Sequence, residues 1–142
     1  MKTVHSITAA LILVILTMVV FNAIMSLKRD EQFKSGDRKL GLIGLILTHT
    51  QFLIGLVTFY VSPWYESLKN VGMASAMKDA ELRLFNVEHP LTMLIAIVLI
   101  TIGWSKHKKA ENDKKKFKLF AIFYGLGLVL ILSRIPWSQW IG

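Results

Sequence analysis

The sequence contains no cysteine, which excludes a disulfide framework, a thiolate zinc site and a cysteine-held iron-sulfur cluster. Any metal chemistry must fall to histidine, methionine and carboxylates. Acid is also scarce, with 9 Asp and Glu against 17 Lys and Arg and a formal charge of +8. The excess cations lie mostly between apolar runs rather than along an amphipathic face, so membrane orientation explains them better than nucleic acid, and no nucleic-acid partner is expected. No glycine-rich phosphate loop, no Ser or Cys nucleophile signature and no HExxH is present, so there is no independent catalytic motif. The absence of an inverted repeat or paired broken helices argues against a transporter.

What the sequence does contain is apolar. Hydrophobic residues make up 54% of 142 and mean hydropathy is +0.51, outside the usual range for a soluble domain, so lipid is the expected solvent. Four apolar runs predict transmembrane helices over about residues 6–27, 40–61, 82–104 and 117–134 in a single domain, 1–142. Each approaches or exceeds the ~20 residues that cross ~30 Å of hydrocarbon. The third must reach upstream through Leu82 and Phe85 to be long enough, which draws Glu88 and His89 inside the span. The expected fold is an all-α integral membrane four-helix bundle.

Lys28, Arg29, Lys34, Arg38 and Lys39 fill the first connection and Lys106, Lys108, Lys109, Lys114, Lys115 and Lys116 the third. The second has only Lys69, Lys78 and Arg83. The positive-inside rule then places both termini outside, on the periplasmic face of a bacterial inner membrane. The strongest positive cluster follows the first run, which reads as a retained helix rather than a signal peptide. Trp64, Tyr65, Leu68, Val71, Met73 and Met77 in the second connection predict a short amphipathic interfacial segment.

Ionisable residues in the spans are costly and mark contacts of consequence. Counting from the cytoplasmic boundaries places His49 roughly 15 Å deep, Glu88 and His89 roughly 25 Å and Arg134 roughly 24 Å, while His5 lies at or beyond the outer boundary. Glu88 and Arg134 therefore read as an ion pair closing helix three onto helix four, or Arg134 as the holder of an anion or cofactor carboxylate. His49, in Thr48-His49-Thr50-Gln51, reads as an interhelical hydrogen bond, a cofactor ligand, or a proton-relay or quinone contact. Gly41, Gly44, Thr48, Gln51, Gly55 and Thr58 form a stripe that admits a neighbouring helix or a flat ligand. His107 sits in the lysine loop and takes no role. Buried histidines in a four-helix bundle fit a haem site. Met18 counts to the level of His49 and stands as a minor alternative ligand.

The motifs Thr48-His49-Thr50-Gln51-Phe52-Leu53-Ile54-Gly55, Phe85-Asn86-Val87-Glu88-His89, Met93-Leu94-Ile95-Ala96-Ile97, Leu99-Ile100-Thr101-Ile102-Gly103 and Ile135-Pro136-Trp137 occur together with His5-Ser6. In these the chain resembles, over nearly its whole length, a family of small bacterial four-helix membrane proteins labelled "cytochrome B". The resemblance implies haem b held by histidines at His5, His49 or His89. It departs in helix one, where residues 4–10 lack a second histidine and an Arg-Trp pair, so His49 and His89 are the favoured haem-iron ligands, with Arg134 near a propionate. The expected function is a haem-b electron-transfer or respiratory-type redox subunit meeting a quinone or membrane redox partner. The alternative is a cofactor-free structural or accessory subunit, and a homodimer or larger membrane complex is an expected assembly in either case.

Overall fold

Helix α1 runs from Lys2 to Lys28 and α2 from Ser35 to Tyr60. Between them, Asp37 closes the turn: its carboxylate accepts from the Lys34 backbone N–H at 2.8 Å and from Asn22 Nδ2 on α1 at 2.7 Å. The computed structural model describes residues 2–140. The later helices start on side-chain caps that satisfy first-turn N–H groups. Ser62 caps α3 (Pro63–Lys78), Asp79 caps α4 (Ala80–Lys109) and Asn112 caps α5 (Asp113–Ser133). A final turn, α6, spans Trp137–Trp140.

Helices α1, α2, α4 and α5 are each long and apolar enough to cross a membrane. The described residues include no strand. All four spans start a few residues earlier or end later than the apolar runs predicted. Capping polar residues and lysines extend a helix beyond its hydrophobic stretch without disturbing the apolar part. The segment predicted to be interfacial is a helix, α3, bent at Gly72, whose φ of 82° is open to glycine but strained for other residues. Val71, Met73 and Met77 on α3 are exposed, and Trp64 stacks on Phe85 of α4 with ring centroids 4.2 Å apart.

Alternating helix directions bring the cationic connections α1–α2 and α4–α5 to one end of the bundle. The opposite end gathers the start of α1, the end of α2, α3, the start of α4 and the end of α5. The dry core lies toward the basic end, where Leu16, Val19, Ile100, Trp104, Phe117, Phe120 and Tyr124 are buried. The glycines of α2 serve this packing. A Cβ at Gly41 would lie 2.5 Å from the Phe120 ring, and one at Gly44 would lie 3.3 Å from Tyr124 and 3.4 Å from Leu16. Tyr124 also donates to the Gly41 carbonyl at 2.7 Å. Side chains of α1 and α5 thus occupy this part of the stripe, not a flat ligand.

Both α4 and α5 contain one π-helical turn, at Leu84–Glu88 and Phe120–Tyr124. The first has a visible cause. Pro90 has no N–H to give the Asn86 carbonyl and its ring crowds that group, and a widened turn relieves both. The second turns Phe120 and Tyr124 together into the core.

Candidate functional site

The widened turn of α4 delivers Glu88 and His89 to the end opposite the lysines. His89 Nδ1 meets the Arg134 backbone carbonyl at 2.8 Å, so the N–H sits on Nδ1 and Nε2 keeps its lone pair. Across from it, on α1, stands His5. The two imidazole centroids are 6.3 Å apart and their planes are nearly perpendicular, at 83°. His5 fits against Gly55 of α2, where an added Cβ would lie 3.2 Å from its Cε1. Its Nδ1 is buried without a hydrogen-bond partner.

Gln51 fixes the α1 side of this site. Its Nε2 donates to the His5 carbonyl at 2.7 Å, and its Oε1 accepts from the Thr8 hydroxyl. Gln51 and Gly55 are one helical turn apart on α2, so one face of α2 holds both the backbone and the ring of His5. That is the role of the outer half of the small-residue stripe.

Glu88 does not rely on Arg134. Its closest partner is Arg83, one turn upstream, whose Nε lies 3.0 Å from Oε2, while Arg134 Nε is 3.9 Å from Oε1. Arg83 also donates to the Met77 carbonyl at 2.8 Å, tying the end of α3 to the start of α4. The expected pair is therefore the weaker arm of a three-residue cluster. Counting depth from the lysines found Arg134 because it lies on a different span. Arg83 falls in the predicted helix 82–104 as well as in the charge tally of the second connection, and the tally gives no sign of its contact with Glu88.

His49 is placed elsewhere. Its ring is exposed, with Nδ1 at 2.8 Å from the Leu45 carbonyl and Nε2 at 3.4 Å from the Thr101 hydroxyl of α4. Thr101 lies 12 residues beyond His89 on the same helix, roughly 18 Å along its axis. The structure thus brings His89 to His5 and keeps it from His49. The level shared by Glu88, His89 and Arg134 was legible by counting, and His5 belongs to it. Met18 is exposed at 47% and lines a groove of about 350 Å³ with Phe21 and Asn22, away from the histidine pair.

A metal held by three or more carboxylates and imidazoles has no site among the described residues. Haem asks less of the protein, because the macrocycle supplies four donors and two axial side chains complete the set. The 6.3 Å between the His5 and His89 centroids is an ordinary edge-to-face ring separation, and it is also about the span of two imidazoles that share one metal through bonds of about 2 Å. The residues that could hold a haem iron are two imidazoles from two helices, His89 held by the Arg134 carbonyl and His5 seated against Gly55.

No family model, no curated protein and no solved structure matches the chain.

Proposed function

We propose that the chain is a small haem-b membrane protein that carries electrons between membrane partners, with His5 and His89 as the residues that would hold the haem iron. The approach of these two rings to 6.3 Å, from α1 and α4, carries the reading. Bound haem would supply one-electron redox chemistry, exchanged with a quinone or a second membrane redox protein. The chain's own residues hold and tune the site. Arg134, through its carbonyl, orients His89 and raises its basicity. Gln51 fixes the α1 backbone at His5, and Gly55 leaves room for the ring. The guanidinium groups of Arg83 and Arg134 supply positive charge at the same level, suited to a propionate.

The charge asymmetry supports an N-out, C-out orientation in a bacterial inner membrane, which would put the histidine pair near the periplasmic face. A cysteine replacing exposed Ser75 should react with a membrane-impermeant thiol reagent in intact cells, and one at Ser35 should not. The opposite pattern reverses the orientation.

One observation favours a second reading, of a cofactor-free accessory subunit of a larger membrane complex. The grooves of about 460 and 350 Å³ lie in the basic half, and His5 and His89 line neither. The visible spectrum of protein purified from haem-replete membranes separates the two readings. A Soret band that sharpens and shifts on dithionite reduction is the expected result; a colourless, folded protein overturns the haem reading in favour of the accessory one.

A further inference from the structure

The basic end of the bundle has its own organised site. An open cleft of about 460 Å³ is lined by Phe33, Lys34, Ser35, Arg38, His107, Lys108 and Lys116. Four of these seven are permanent cations and none is a carboxylate. None of the four forms an ion pair with a carboxylate among the described residues. Asp37, the nearest acid in sequence to Arg38, is engaged with Asn22 and the Lys34 backbone.

Aromatic rings lie beside three of the four cations, of which Lys116 is half-buried and Arg38 and Lys108 are exposed. The Arg38 guanidinium lies 5.0 Å from the centre of the Trp104 ring and Lys108 Nζ lies 6.0 Å from the same ring. Lys116 Nζ sits 5.5 Å from the Phe33 ring, which is itself 5.6 Å from His107. His107 is only 2% exposed, packed against Trp104, Phe33 and Phe120, with Nδ1 bonded to the Trp104 carbonyl. Though its sequence neighbours are lysines, it is part of the aromatic floor beneath these charges.

Cation–π contacts position a charge without neutralising it. Here cations from α2, α4 and α5 are gathered around one cavity at the level where the spans end. Basic pockets between helices at this depth are suited to phosphate headgroups.

We propose that this cleft binds a phosphate group carrying more than one negative charge, presented by an anionic lipid headgroup or as free phosphate. Arg38 and Lys116 would contact it from opposite walls, with Lys34 and Lys108 completing the field. The site is separate from the histidine pair and stands whether or not haem is bound.

The test uses the full chain in phosphatidylcholine nanodiscs and follows its thermal midpoint in two arms, one with increasing inorganic phosphate and one with increasing phosphatidic acid. A ligand that binds only the folded protein raises the midpoint saturably. The expected result is such a rise in at least one arm, weakening with added sodium chloride. A response to phosphatidic acid alone assigns a lipid headgroup; a response to inorganic phosphate assigns a soluble ligand. The Arg38→Gln/Lys116→Gln variant should raise the half-saturating concentration at least about tenfold, the loss of a charge-assisted contact or more. Lys114→Gln/Lys115→Gln removes the same charge outside the cleft and should leave it unchanged. Should the first variant not fold by circular dichroism, Lys108→Gln, at an exposed lining position, takes its place with the same expectation. No rise in either arm, or an equal loss in the Lys114/Lys115 control, overturns the proposal.

Discussion

At the basic end, Phe33, Trp104, Phe117, Phe120 and Tyr124 interlock around His107, and the buried hydroxyls of Ser26 and Tyr124 each have an acceptor. At the opposite end the residues that meet are His5, Gln51, Glu88, His89 and two arginines, and two buried polar atoms, His5 Nδ1 and Asn86 Oδ1, have no partner. Lipid offers no hydrophobic drive for helix association, so spans are held by close packing and polar contacts. The two ends divide these tasks. The basic end supplies shape complementarity, while the histidine end carries polar groups whose desolvation is incompletely compensated. Buried unsatisfied atoms in a native fold ask for an explanation, and a bound group is one.

Large-to-small substitutions should expose this division most strongly. Phe117 is 1% exposed and touches Phe33 at a centroid distance of 5.0 Å. Phe117→Ala should cost about 3 kcal/mol, the low end for a core aromatic because lipid reduces the transfer contribution. Phe85→Ala at the other end removes the stack on Trp64 but little dry core, and about 1 kcal/mol is expected. Thermal or denaturant unfolding in micelles measures both. Equal losses would erase the distinction between the ends.

The charge cluster tests a finer difference within the histidine end. Arg83 is closer to Glu88 than Arg134 is, and also holds the Met77 carbonyl. Arg83→Ala should therefore destabilise by about 1 kcal/mol, the upper range for partly exposed pairs, and Arg134→Ala by less. A larger loss for Arg134→Ala would restore the simple pair expected between helices three and four.

Gly55→Ala should be the mildest change in stability, below about 1 kcal/mol, because one methyl meets only the edge of His5. Its consequence belongs to the site. Pushing His5 by a few tenths of an ångström should weaken haem retention in a hemin titration while Gly36→Ala, where nothing lies within 4 Å of the added Cβ, leaves it unchanged. Identical titrations would show that the cradle has no role.

The four long apolar helices were legible because apolar runs near twenty residues have few alternatives in a chain this hydrophobic, the third only once extended upstream. The shared level of Glu88, His89 and Arg134 was also legible, since helical rise converts residue counts into depth. Azimuth was harder. His49 sits beside the small-residue stripe in sequence, and its ring turns away from the core to Leu45 and Thr101, a rotation that counting depth does not register. His5, though counted at the outer boundary, comes in toward His89 because Gly55 lets its helix approach. His107 is not legible because α4 runs on past its apolar segment and carries the ring inward, and Arg83 is not because a cation tallied with the connection gives no sign of its reach to Glu88. Pro90, immediately after His89, was a readable signal for the widened turn.

The central proposal, that His5 and His89 would hold the haem iron, is tested most directly by reduced-minus-oxidised spectra of His5→Ala, His89→Ala and His49→Gln compared at equal protein concentration. The pairing predicts loss of the low-spin spectrum in the first two, with insertion retained, and an unaltered spectrum in His49→Gln. A spectrum lost in His49→Gln and kept in His5→Ala would contradict it.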